Sequence, residues 1–407
     1  MAKIHPCCAK SPGAALLFYP WRYLGFVILA CALAWQLPSS AALGLPAVPA
    51  KMQVAISYTG NGLGEIEPCG CANKPMGGLA RRAQAWQDRQ RMRNHPLLLD
   101  TGASLTVGEE GLAERPGEAV ARGELLMQTM GYMGYAGVHV AAADLALGLE
   151  RLRKLSKAQR VPLLSANLMQ GAKPAFLPSL VKQRGPLKIG VFGLSPLKPA
   201  GARWLKAAGL TVADPTQAAR QAVADLRGQG CDLVVLLSQL RRADAQKLVL
   251  QVAGIDLVLG SSAMEMATDL EEMGPALYAD ADQKGRSLAE VLVQVRGRRD
   301  RYYPGEKRGS LAREHKDLGE QLAKLQQQLA APSTPADKRA VLEKQLVAKR
   351  AKLQRLSLEL QADALPADAS TVTLSVIGLE VGLADEPGVA EWVAAYQKKF
   401  PKRDAGK

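Results

Sequence analysis

One stretch constrains this 407-residue chain more than any other: residues 54–82, reading VAISYTGNGLGEIEPCGCANKPMGGLARR. Its apolar start, ending at Thr59 and Gly60, has the form of a buried strand entering a loop. The loop carries Glu65, Glu67, Pro68 and two thiols, Cys69 and Cys71, separated by one glycine. Gly77 and Gly78 close it, and an amphipathic helix opens at Leu79. α/β proteins present their sites in this order, at the carboxyl ends of strands.

The pattern repeats downstream. Apolar runs at 96–99, 161–167, 187–194, 232–237 and 255–259 alternate with helical stretches at 117–130, 216–229 and 243–252. Strands alternating with helices predict an α/β domain with a largely parallel sheet, finished by a hairpin-like pair at 276–279 and 288–295. From Glu306 the texture changes. Leu311, Leu318, Leu322, Leu325 and Leu329 fall at heptad spacing, and Leu342, Leu346, Leu353, Leu356 and Leu360 repeat it after the breaker at 331–336. That predicts an antiparallel helical hairpin over 306–363, either a packing insert or a docking arm for a protein partner. A strand and a helix follow over 370–400.

The amino-terminal segment, 1–45, carries basic residues, the apolar run YLGFVILACALAWQL and then PSSAALG. This order predicts an export signal with a cut near Ser39-Ser40-Ala41, or an uncleaved anchor, or a lipoprotein cut before Cys31. The expected location is the periplasm, free or membrane-anchored, with any membrane contact confined to this segment. Net charge is +14, yet aromatics are only 5%. A basic patch interleaved with aromatics is missing, so no nucleic-acid partner is expected.

The motifs resemble those of the calcineurin-like metallophosphoesterases, in the exported 5′-nucleotidase and UDP-sugar hydrolase group. Its first motif is a strand, T-N-D-x-H-G, L-E-P and then G-G-L-A-R-R. LLLDTGAS is similar to its L-L-D-x-G-D, GYAGVHVAAADLALG to its G-N-H-E block, LLSAN to L-S-A-N, VVLLSQL to L-S-H-L, and GIDLVLGSSAM to G-I-D-x-I-x-G-G-H-x-H. The resemblance covers 54–296, the predicted domain 51–300. It implies an α/β/β/α sandwich, here with the coiled-coil hairpin near the carboxyl terminus, and a dinuclear metal site that activates water.

The ligand positions implied by the resemblance are altered throughout. Asn61 and Leu63 stand where aspartate and histidine are expected, and Ala103 replaces the bridging aspartate. Ala142 and Ala143 replace the asparagine and catalytic histidine, with Asp144 in the glutamate's place. Gln239, Ser262 and Met264 replace the remaining histidines. Leucine and alanine cannot coordinate a hard cation. None of the four histidines stands at a ligand position, and His139 reads as a structural group.

The thiol pair is what remains. A Cys-Gly-Cys loop is similar to that of a nucleotidase-like bacterial subgroup in which some members carry selenocysteine and others are fused to multihaem cytochromes. That resemblance implies redox chemistry, although no C-x-x-C-H haem motif is present here. A Cys-x-Cys disulfide closes a small strained ring, and strained disulfides are the readily reduced ones. Cys69 and Cys71 are therefore the expected catalytic residues of a thiol–disulfide exchanger with a redox partner. Three alternatives stay open: a soft-metal site on the two thiolates with Met76 or Met264, a partner-binding scaffold, and a metal-dependent nucleotidase or phosphoesterase with unconventional ligands.

Overall fold

In the computed structural model, residues 52–69, 75–106, 115–261, 270–331, 335–362 and 365–401 are described. The expected export signal over 1–45, Cys71, Ser262 and Met264 lie outside them. In chain order the elements are β1 (Gln53–Thr59), α1 (Leu79–Met92), β2 (Leu97–Asp100), α2 (Pro116–Met133), β3 (Gly137–His139), a 3-10 turn (Ala142–Leu147) and α3 (Leu149–Gln159). Then come β4 (Leu163–Leu164), β5 (Leu168–Gln170), β6 (Lys173–Pro174), β7 (Ser179–Arg184), β8 (Leu187–Leu194), α4 (Ala202–Ala207), β9 (Thr211–Val212) and α5 (Pro215–Gly228). The rest are β10 (Leu233–Ser238), α6 (Arg242–Gln251), β11 (Leu257–Gly260), β12 (Glu271–Met273), β13 (Ala276–Asp280), β14 (Ser287–Gln294), β15 (Arg298–Pro304), α7 (Gly305–Ala330), α8 (Ala336–Ala362), β16 (Ala369–Gly378) and α9 (Pro387–Lys399).

Two mixed sheets stack. The first runs β15-β16-β14-β1-β2-β3-β4, the second β12-β13-β11-β10-β8-β7, and a small third sheet is β6-β5-β9. Strand alternation assigns the layers, because successive side chains face opposite ways. Ile56, Tyr58, Ile189, Val191, Val235 and Leu237 fill the space between the sheets. Leu98 and Val138 face the other way, onto α1, α2 and α3, while Phe192, Val234 and Leu236 face α5 and α6. Helices, sheet, sheet, helices is the α/β/β/α sandwich expected from the sequence.

Two details differ from that expectation. The segments 276–279 and 288–295 are not a hairpin. β13 pairs parallel with β11 in the second sheet, whereas β14 crosses to the first, antiparallel to β1 with Ile56 opposite Val291. Both strands are buried on both faces, so their apolar runs carry no period to reveal a partner. The α/β domain also extends beyond residue 300. β16 lies antiparallel to β14 over eight residue pairs, and β15 lies beside it, so the carboxyl-terminal strand is an inner strand of the first sheet.

Helices α7 and α8 pack antiparallel. Leu318, Leu322 and Leu325 are buried on one, Leu356 and Leu360 on the other. His315 meets Ser357 at 2.9 Å and Lys352 pairs with Glu314 at 2.8 Å across the seam. Among the described residues no helix is long and apolar enough to cross a membrane.

Candidate functional site

The loops leaving β1, β2, β3, β10 and β11 converge at the carboxyl ends of their strands. Backbone bonds lace the first two together: Asn61 N donates to Gly102 O at 2.8 Å and Leu63 N to Ala103 O at 2.9 Å. Asn61, Leu63 and Ala103 all hold positive φ, at 44°, 49° and 54°. Such a conformation costs a leucine or alanine roughly 1 kcal/mol or more, so the surrounding bonds must impose it.

A neutral polar network fills the centre. The Gln239 amide donates to Thr101 O at 2.9 Å and reaches Asn61 Oδ1 and Ser261 Oγ at 3.4 Å each. Thr101 Oγ1 donates to Ser261 Oγ at 2.7 Å, and the Asn61 amide donates to Ser261 O. The structure thus brings Asn61, Leu63, Ala103 and Gln239 into one loop cluster, with Ala142 and Ala143 on the neighbouring turn, where Thr106 Oγ1 donates to Ala143 O at 3.0 Å.

Two buried carboxylates anchor the frame, and their oxygens are already engaged. Asp144 accepts from Ala103 N and Leu105 N on one loop and Ala141 N on another, at 2.9, 3.0 and 3.0 Å. Burial raises its pKa, and those backbone N–H groups oppose the shift. Asp100 accepts from Thr59 Oγ1 at 2.6 Å, Gly102 N at 2.8 Å and Ser104 Oγ at 2.9 Å. Burial pushes Asp100 up to about 7, with the charge of Asp144 adding to the rise and the hydrogen bonds resisting it.

The family's dinuclear metal centre does not fit these residues. Three of the described ligand positions are alanine and one is leucine, Gln239 donates to a carbonyl, and both carboxylates are engaged by loop backbone, Asp100 by Gly102 N and Asp144 by Ala103 N. No three histidine, cysteine or acidic side chains group together among the described residues.

Beneath the frame runs a chain the sequence did not single out. Thr59 Oγ1 lies 2.8 Å from Tyr135 Oη, and Tyr135 is hydrogen-bonded to Arg82, only 2% exposed. Burial pushes Tyr135 up to about 12. Gly285 makes room for the guanidinium: a Cβ there would lie 1.8 Å from an Arg82 nitrogen. The available signal was an acid, Asp100, ending an otherwise apolar run. His139 is fully buried, as a structural group would be, with Nδ1 3.0 Å from Leu164 O and Nε2 3.2 Å from Ser195 Oγ. Burial lowers its pKa to about 4.

Cys69 occupies a separate place, at the neck of a closed loop. Pro68 and Gly77 form an antiparallel bridge, Cys69 N donates to Met76 O at 2.8 Å, and Met76 N reaches Cys69 Sγ at 3.2 Å. The neck leans on the carboxyl-terminal segment: Gly77 N donates to Leu379 O at 2.8 Å, and Gln397 on α9 donates to Glu67. The residue is half-buried. Met76 thus sits beside Cys69.

No family model matches the chain. A probable 5′-nucleotidase of Treponema pallidum (strain Nichols) is 24% identical over 180 residues, which is 43% of this chain and 30% of that protein. Among solved structures, a 5′-nucleotidase precursor from Thermus thermophilus matches with a TM-score of 0.56 at 16% identity, over 85% of this chain and 59% of its own. The Thermus thermophilus sulfate thiohydrolase SoxB, in complex with glycerol, matches at 0.57 and 15%, over 85% and 60%. The calcineurin-like phosphoesterase YfkN from Bacillus subtilis matches at 0.53 and 13%, over 85% and 97%. The chain thus spans 30% of its curated relative and 59% and 60% of the first two solved structures.

Proposed function

Because the chain has the calcineurin-like metallophosphoesterase fold of the 5′-nucleotidase group, we propose that it is an exported protein which keeps the frame of a dinuclear hydrolase and uses thiol chemistry instead. The observation that carries this reading is the loop cluster itself. It retains the family's positions but fills them with Leu63, Ala103, Ala142, Ala143 and an amide-donating Gln239. Support for the thiol half is the half-buried Cys69 at a loop neck, with Cys71 two positions on. Export through residues 1–45 would put the pair where disulfides persist.

The proposed step is a two-electron exchange with a dithiol-bearing partner protein. One partner thiolate attacks the Cys69–Cys71 disulfide, and one sulfur of the pair leaves as thiolate. The second partner thiolate then attacks the mixed disulfide and releases the other. Cys69 and Cys71 end as a dithiol, the partner ends as a disulfide, and two protons pass with the two electrons. Alkylation and mass spectrometry across glutathione buffers test this, run beside a phosphoesterase assay with added manganese, cobalt or zinc. The expected result is reversible protection of both cysteines and no hydrolysis of nucleotide monophosphates or UDP-sugars. Thiols that stay alkylatable in every buffer, or remain bridged below about −300 mV as structural disulfides do, would sink the redox half. Metal-dependent turnover abolished by a change at Asn61 or Gln239 would sink the other.

A further inference from the structure

An open cleft of about 800 Å³ lies beside the loop cluster, between the segments leaving β8 and β10. That volume suits a small molecule. One wall is a stripe of α6, where Asp244, Lys247, Leu248 and Gln251 recur at helical spacing. Leu240 and Leu248 are buried in its floor, Leu197 stands 58% exposed at its edge, and Gln239 joins its inner end to the central network.

The charge in this cleft is uneven. Three cations, Lys198, Arg241 and Lys247, line it against two carboxylates. Both carboxylates are occupied: Asp214 caps α5 by accepting from Gln217 N at 2.8 Å, and Asp244 pairs with Arg241 at 2.9 Å. Lys198 and Lys247 pair with no carboxylate among the described residues. The lining contains no aromatic ring, so nothing there stacks on a nucleobase. Leucine and proline side chains offer an aliphatic surface instead.

We infer that this cleft binds a small amphipathic anion, an aliphatic body with one acidic head placed between Lys198 and Lys247. Desolvating the body over Leu197, Leu240 and Leu248 supplies affinity, and the two ammonium groups select the sign of the head. The inference is independent of the thiol reading, and Cys69→Ser leaves it unchanged.

Decanoate is the probe, titrated calorimetrically into the full chain, with decylamine and acetate as controls. Saturable decanoate binding with neither control binding is the expected result. Lys198→Glu with Lys247→Glu, both exposed, should weaken decanoate at least tenfold, and raising the salt should weaken it in the parent. Leu197→Ser should weaken decanoate several-fold while circular dichroism stays unchanged. Absence of saturable binding, equal binding of decylamine, or affinity untouched by both sets of changes would overturn the inference.

Discussion

The strand-end cluster and the Cys69 neck share the β1–α1 connection, which supplies Asn61 and Leu63 to one and Cys69 to the other, yet they are built differently. In the cluster the two acids are buried and bind across the loops: Asp144 holds three backbone amides and Asp100 three donors. At Cys69 the backbone closes the neck, and the residue is half-buried. Asp144 ties the loop after β2 to the turn after β3, so the frame is held by bonds that cross between segments. At the neck, Met76 N reaches the Cys69 sulfur at 3.2 Å. The difference teaches that backbone hydrogen bonds can hold loops in place whichever side chains those loops carry.

The hardest test of that contrast is Asp144→Ala. It strips three backbone N–H groups of their acceptor in a buried setting, so a loss of about 3–5 kcal/mol is expected. Urea denaturation would read it, and a loss under about 1 kcal/mol would show that the frame does not depend on this carboxylate.

Two buried groups sharpen the comparison through pH. Asp100 is raised from 3.8 to about 7, so the fold favours its protonated form. That contribution is complete below the unfolded value and disappears as pH rises through about 7, amounting to at most about 4 kcal/mol. His139 is lowered from 6.5 to about 4, so the fold favours its neutral form. Its contribution is complete above pH 6.5 and is lost as pH falls through about 4, at most about 3 kcal/mol. Between pH 4 and 6.5 the two oppose each other. Asp100→Asn should therefore tilt stability upward with pH relative to the parent, and His139→Gln should tilt it downward. Parallel profiles for both variants would refute the assignment.

A smaller effect is expected from Gly193→Ala. The added Cβ would meet the His139 ring at 2.3–2.6 Å, and His139 is fully buried. Overpacking of this kind costs about 1–3 kcal/mol. If thermal unfolding is unchanged, the two sheets do not approach as closely as this contact indicates.

The smallest change is expected at the loop. Cys69→Ser should shift stability by less than about 0.5 kcal/mol, as for a partly exposed side chain, while abolishing reversible thiol protection at Cys71. A large loss of stability would mean that the cysteine is a structural part of the neck.

The sequence by itself determined the alternation of strands and helices, the sandwich, and the loop positions that the cluster brings together. The alternation follows from local periodicity, whereas the sandwich and the loop positions are what the resemblance carried by the ordered motifs implies. His139 was also legible, as a histidine away from every ligand position. Three features needed the tertiary structure. β13 and β14 part into different sheets because strands buried on both faces carry no period to set their pairing. β16 becomes an inner strand although two long helices separate it from β15, because chain distance adds only slowly to the cost of closure. Arg82 stands in sequence beside Arg81 at the start of α1, and only the fold shows its guanidinium buried against Tyr135 under Gly285. A charge enters the interior only where polar partners from distant segments meet it, and their meeting is a property of the fold alone.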